Sequence, residues 1–229
     1  PNTATGLPEH SADFTVFTIR VQPGIYFQDD PAFSGRRREL VAADYAYIFK
    51  RIADPRWKSQ IWASVSELGI LGLAALREEV LKSKTPFDYD RPIDGLRVLD
   101  RYTLQFRFAE PRPRFIQTLA DGSLYGAVAR EVVEAYGDKI MEKPVGTGPF
   151  RLAEWRRSSR VVLERNPGYR ERVYDARPNA DDAEGQALLA RFKGRRLPMI
   201  DGVEIVIIEE EQPRWLSFLN RQLDLVEPV

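Results

Sequence analysis

The chain has 229 residues, 43% of them hydrophobic and 30% charged, with Lys+Arg and Asp+Glu both at 34 and a formal charge of zero. That composition fits a globular protein of one large or two modest domains, and its balanced charge gives no global attraction for nucleic acid or an anionic membrane. The absence of cysteine excludes disulfides, thiolate–zinc sites and thiol nucleophiles, and the single histidine, His10, sits in a polar lead-in rich in Pro, Gly and Ser. No apolar run approaches the ~18 residues a membrane span needs, and no charged-then-apolar leader opens the chain.

In chain order, Phe14 to Val21 is β-branched and aromatic and reads as a strand, turned by Pro23-Gly24 into Ile25–Gln28 as a hairpin. The basic stretch Ser34-Gly35-Arg36-Arg37-Arg38 reads as a solvated loop rather than an anion site. Tyr45, Ile48, Phe49 and Ile52 then give a helix one apolar stripe, with Asp44 in its first turn and Asp54-Pro55 ending it. Trp57, Ile61, Trp62 and Val65 recur at helical spacing, as core positions would. Leu73 to Lys82 is a further helix with a Glu78–Lys82 pair. Leu96–Leu99 and Thr103–Phe108 read as a second hairpin, and alternation of Leu104, Phe106 and Phe108 with Gln105 and Arg107 gives it one wet face. Short helices follow, one with Phe115, Ile116 and Leu119 and one from about Arg130 to Tyr136.

The stretch Lys143–Tyr169 organises the second half. Val145-Gly146-Thr147-Gly148-Pro149 is a turn in which the glycines supply backbone freedom and Pro149 fixes φ. Phe150–Arg156 and Arg160–Arg165 read as strands of a hairpin, closed by Asn166-Pro167-Gly168. The glycine pair is no phosphate cradle: Pro149 removes a donor, no Lys-Ser or Lys-Thr follows, and a strand replaces the required helix. Residues 170–197 are charged and irregular, with an exposed helix at Ala183–Phe192 capped by Asp181 or Asp182. Val203–Ile208 is apolar on both faces, as in a strand covered on both sides. Trp215, Phe218, Leu219 and Gln222 give the next helix an inward stripe, and Asp224-Leu225-Val226 resumes an extended path, completing a βαβ unit.

Several of these stretches together resemble one family. PVGTGPF-x-L-x-x-W followed by VLERNPGY resembles the signature of the extracellular solute-binding proteins of family 5, the oligopeptide and dipeptide receptors of ABC importers. FTIRVQPGIYFQDDPAF, LVAADYAYIFKRIADP, LRVLDRYTLQFRFAEPRPRFIQTLA, VAREVVEAYGDK and IDGVEIVIIEEEQPRWLSFLNRQLDLVEPV resemble further stretches of it, so the likeness runs from about Phe14 to Val229. Asp30, Ala129 and Gln222 depart from the residues usual in the family at those points. The resemblance implies a mixed α/β fold of the periplasmic binding protein class II, present in part. Residues 1–128 would be a small inserted domain and residues 129–229 the central part of the first ligand-binding lobe, with the crossover near Ala127–Arg130 and the second lobe absent. It also implies a periplasmic, exported protein whose signal sequence lies outside this stretch. Such a receptor carries a small solute, an oligopeptide or dipeptide first among the candidates, to an inner-membrane ABC permease, acting as a monomer at full length. No cofactor, metal or nucleic acid belongs to this picture. By position, Val226, Glu227 and Pro228 would line the cleft, with Thr147 as a further contact.

Other functions find less in the residues. There is no Gly-x-Ser-x-Gly elbow, no metal-ligand spacing and no histidine in the folded body. Glu209-Glu210-Glu211 is the densest carboxylate run and the one place a carboxylate hydrolase could start. Acid–base work needs two carboxylates in different environments facing one cleft, whereas a run at a helix edge reads as a solvated cap. A non-catalytic interaction module is the remaining alternative.

Overall fold

The computed structural model describes residues 2–226 and divides the chain into two compact units. The first comprises residues up to Ile140 together with Val145–Thr147; the second comprises Met141–Pro144 and everything from Gly148 onward. Mixed α/β structure runs through both.

In the first unit the elements are β1 (Glu9–His10), β2 (Val16–Arg20), α1 (Ala42–Ala53), α2 (Trp62–Glu67), α3 (Leu73–Ser83), β3 (Leu96–Asp100), β4 (Thr103–Arg107), α4 (Phe115–Leu119), α5 (Gly122–Tyr125) and α6 (Arg130–Tyr136). The sheet is antiparallel in the order β1-β2-β4-β3. Val16 pairs with Arg107 and Arg20 with Thr103, which places Phe17, Ile19, Leu104 and Phe106 on one buried face. Against that face packs the stripe of α1. Phe49 meets Phe106 edge-on at 5.1 Å, and Phe115 from α4 completes the cluster at 4.9 Å from Phe106. Interleaved large rings of this kind bury much apolar area and fix their mutual geometry.

One expectation changes here. Ile25–Gln28 does not pair with β2 as a hairpin, because both edges of β2 are taken by β1 and β4. Residues 25–27 turn instead to the arginine loop, through Phe27 N–H to the Arg38 carbonyl and Leu40 N–H to the Ile25 carbonyl. Residues 127–130 lie inside the first unit. Ala129, Val132 and Val133 of α6 are buried, and Glu131 binds Arg38 across the unit, so the chain stays there until Ile140.

The second unit contains β5 (Phe150–Arg156), β6 (Arg160–Arg165), α7 (Ala183–Phe192), β7 (Gly202–Val206) and α8 (Glu211–Leu219). Its sheet is antiparallel in the order β5-β6-β7. Asp182 caps α7, its Oδ1 accepting the Gly185 N–H at 2.8 Å. The irregular stretch before β7 holds a short ribbon, in which Tyr174 N–H reaches the Arg195 carbonyl and Leu197 N–H the Arg172 carbonyl.

Two further expectations are corrected in this unit. β7 is an edge strand, not an interior one, and Ile205 is 48% exposed. The stripe of α8 does not point inward, since Trp215 is 52% exposed and Leu219 is exposed with it. No strand follows α8 among the described residues, so the expected βαβ unit is not seen there. Both sequences have the apolar pattern of covered elements, and the described residues cover them only in part, with Val203 and Phe218 half-buried. All fully buried apolar side chains among the described residues belong to the first unit; in the second, only Asn166 is buried.

Candidate functional site

The sequence singles out the Val145–Pro149 turn, and the structure gives that turn two anchors. On the side of the first unit, the Gly146 carbonyl accepts the Gln28 N–H at 2.9 Å. On the side of the second, Asn166 does the work. Its backbone N–H reaches the Pro149 carbonyl at 2.8 Å, its Nδ2 donates to the Gly148 carbonyl at 2.9 Å, and its Oδ1 accepts the Gly168 N–H at 3.0 Å. One buried side chain thus ties the entry of β5 to the exit of β6 and satisfies backbone groups that no ladder reaches. Sequence reasoning took Asn166 only as part of a closing turn. The signal lay in an Asn ahead of Pro-Gly, a residue able to cap both neighbouring backbone groups.

Neither Gly146 nor Gly148 lies at positive φ. A Cβ on Gly148 would meet nothing closer than the Phe150 carbonyl oxygen at 3.9 Å. The expected use of these glycines for backbone freedom is therefore absent from the turn itself. Thr147, the predicted contact residue, is half-buried and engaged within the protein. Val226 is half-buried in the second unit, while Glu227 and Pro228 lie outside the described residues. Thr147 belongs to the first unit and Val226 to the second.

The outer face of β5–β7 carries a ladder of charge. Arg160 bridges Glu154 at 2.7 Å and Glu204 at 3.1 Å, and Arg151 pairs with Glu164 at 2.7 Å. The hydrogen bond from Arg160 holds the Glu154 carboxyl below its usual range. These pairs lie across neighbouring strands, where opposite charges support register more than stability.

The arginine loop is not uniformly solvated. Arg37 lies over the Tyr26 ring at 4.0 Å, and Arg38 forks between Asp44, at 2.6 Å and 3.1 Å, and Glu131, at 2.8 Å. Asp44 also accepts the Val41 N–H at 2.8 Å, so the start of α1 is closed by the same carboxylate. Burial pushes the Asp44 carboxyl up against these partners. Burial would also lower Arg38, but its bonds to Glu131 and Asp44 more than offset that and hold it firmly protonated. This cluster joins α1 to α6 and is structural.

Among the described residues no group of three or more His, Cys, Asp or Glu side chains could hold a metal ion, and no helix is long and apolar enough to cross a membrane. Glu210 and Glu211 sit at the start of α8, where carboxylates complement the helix dipole.

The family model described as bacterial extracellular solute-binding proteins, family 5 Middle, matches residues 1–229. The chain is 30% identical over 159 residues to the periplasmic oligopeptide-binding protein OppA of Salmonella typhimurium, covering 69% of this chain and 26% of that protein. It is 27% identical over 179 residues to di/tripeptide-binding protein 2 of Pseudomonas aeruginosa, covering 74% and 31%. The structure superposes on Haemophilus influenzae OppA, solved in complex with RPPGFSPFR, with a TM-score of 0.69 at 19% identity, over 97% of this chain and 36% of that one. The likeness to the solved structure concerns the fold, and the chain spans about a quarter to a third of the curated relatives it matches.

Proposed function

Because the chain belongs to the bacterial extracellular solute-binding proteins of family 5, we propose that it forms part of a receptor that captures a peptide in the periplasm and hands it to an ABC permease in the inner membrane. The first unit corresponds to the small inserted domain, and the second to the central part of the first ligand-binding lobe. The second lobe is supplied by the rest of the protein. The relatives carry names of periplasmic oligopeptide- and di/tripeptide-binding proteins, which favours peptide over a nickel complex, haem or sugar.

One observation carries this division of labour: β7 and α8 leave Ile205, Val206, Trp215, Leu216 and Leu219 exposed among the described residues. A three-stranded sheet needs a covered apolar face to be stable, and remaining parts of the lobe would provide that cover. Val226, Glu227 and Pro228 are the proposed ligand-lining residues of the second unit, and Thr147 is proposed separately as a ligand contact of the first. A carboxylate at Glu227 would suit a peptide's amino terminus or another cation, and backbone hydrogen bonds would hold an extended ligand. Lobe closure around the peptide converts binding energy into a state the permease can distinguish from the open one. No bond is made or broken, and the full-length protein acts as a monomer.

The full-length protein, stripped of co-purified ligand by unfolding and refolding, should be titrated calorimetrically with di- to pentapeptide pools. Saturable one-to-one binding of at least one pool is expected. Binding of a sugar or metal complex with every peptide pool silent would overturn the peptide assignment.

A further inference from the structure

A cleft of about 500 Å³ opens in the first unit between the turn that follows α1 and the segment that follows α3. That volume lies within the ~300–1,000 Å³ typical of small-molecule sites. Its apolar lining is Val80, Leu81, Pro86 and Phe87; Phe87 is buried, whereas Leu81 is 54% exposed. The exposed Leu81 leaves apolar surface of this cleft in contact with solvent.

Part of the polar lining is committed to its own hydrogen bonds. Asp54 accepts the Tyr89 hydroxyl at 2.6 Å and the Arg56 backbone N–H at 2.9 Å. The Tyr89 hydroxyl in turn accepts the Trp57 Nε1–H at 2.9 Å, so its one proton and its exposed lone pair are both used. Burial, and then the bond to Asp54, push the Tyr89 phenol well above its usual range, which keeps that proton in place. Lys50 fixes the backbone behind, donating to the Tyr89 carbonyl at 2.8 Å and the Arg91 carbonyl at 2.7 Å.

Two cations line this cleft, Arg56 and Lys84. The Arg56 guanidinium lies over Trp57 at 4.5 Å and stands 3.8 Å from Asp54, the far limit of an ion pair. Stacking presets its plane while leaving its terminal nitrogens to solvent. Lys84 caps the C-terminus of α3 in the left-handed conformation, its N–H bound to the Val80 carbonyl, and among the described residues its ammonium enters no ion pair. The carbonyl end of α3 would repel an anion weakly, so these two side chains must supply the attraction.

We propose that this cleft binds a small amphipathic monocarboxylate, its apolar tail on Val80, Leu81 and Phe87 and its carboxylate between Arg56 and Lys84. Asp54 and Tyr89 line the cleft beside these cations and are held by their own hydrogen bonds, Tyr89 to Asp54 and to Trp57. The site lies wholly within the first unit and does not rest on the peptide-capture reading.

The test uses the whole chain, isotope-labelled, titrated with 4-phenylbutyrate, 4-phenylbutanol and 4-phenylbutylamine and followed by NMR. Saturable shifts centred on residues 54–57 and 80–89 are expected for the carboxylate, with the alcohol and the amine each about tenfold weaker or more. Arg56→Gln and Lys84→Gln, both at exposed positions, should each weaken the carboxylate several-fold and leave the alcohol unchanged. Leu81→Gln should weaken all probes together. The proposal is overturned by no saturable binding of the carboxylate, by shifts centred elsewhere, by the amine binding as well as the carboxylate, or by cation variants that bind it like the parent chain.

Discussion

Asn166 offers the sharpest perturbation of the signature region. Replacing it by alanine removes the Nδ2 bond to the Gly148 carbonyl and the Oδ1 bond from the Gly168 N–H, leaving the backbone bond to Pro149 in place. Each net hydrogen bond contributes about 1 kcal/mol, and a buried partner left unsatisfied adds to the loss, so Asn166→Ala should cost about 2–3 kcal/mol locally. Asn166→Asp keeps the acceptor for Gly168 but sets a carboxylate oxygen against the Gly148 carbonyl, at the 2.9 Å now spanned by a donor. At neutral pH that variant should be at least as unstable as the alanine one. Burial and the facing carbonyl raise the substituted carboxyl above its unfolded value of about 3.9. Its penalty is therefore full at neutral pH and shrinks as pH falls through the raised folded value, because the protonated carboxyl can donate. Hydrogen exchange of the β5 and β6 amides reads this directly. A loss of 2–3 kcal/mol corresponds to about 30- to 160-fold less protection at 25 °C. Less than about threefold loss in Asn166→Ala, or better protection in Asn166→Asp than in Asn166→Ala at pH 7, would refute the account of this turn.

Three other perturbations follow from the first unit. Phe106 is fully buried against Phe49 and Phe115, so Phe106→Ala should destabilise that unit by about 3–5 kcal/mol in urea unfolding followed through Trp57 and Trp62; a cost below about 1 kcal/mol would contradict the packing. The Gly24 amide, with help from Arg101 and Tyr102, holds the Glu39 carboxyl below its ordinary 4.5. Its contribution is present above that value and lost as pH falls through the lower folded one, so Glu39→Gln should cost about 1 kcal/mol at neutral pH and flatten the acid limb of stability below 4.5; parallel acid limbs would rule this out. Lys50→Met should release the Tyr89 and Arg91 carbonyls and speed amide exchange between residues 86 and 92, and unchanged exchange there would show that Lys50 does not hold the segment.

The sequence is most legible where structure is local. The hairpins at 96–107 and 150–165 and the helices at 130–136 and 183–192 stand within a residue or two of their expected bounds, because alternation, caps and turn residues act over a few positions. Non-local choices were not legible. That Ile25–Phe27 would join residues 38–40 and leave β2 to β1 and β4 depends on which strand edges are free, which periodicity does not encode. The apolar patterns of Val203–Ile208 and of Trp215–Leu219 were plain, but pattern reports that a face wants cover and not where the cover comes from. At the candidate site, the turn was found from its glycines and proline, whereas the role of Asn166 rests on a contact 18 residues back along the chain. Arg38 was hidden in a run of three arginines that look alike in sequence and differ in burial and partners.

The proposal that this chain supplies only part of a peptide cleft is tested most directly by comparing two affinities. A peptide that saturates the full-length protein should be titrated under identical conditions into the 229-residue chain. A cleft buries ~70–90% of a small ligand, so losing one wall and the closure step should cost about 4 kcal/mol or more and turn a micromolar ligand into a roughly millimolar one. The account predicts that gap of about a thousandfold; equal affinity for the two proteins would place the whole binding site within this chain and contradict it.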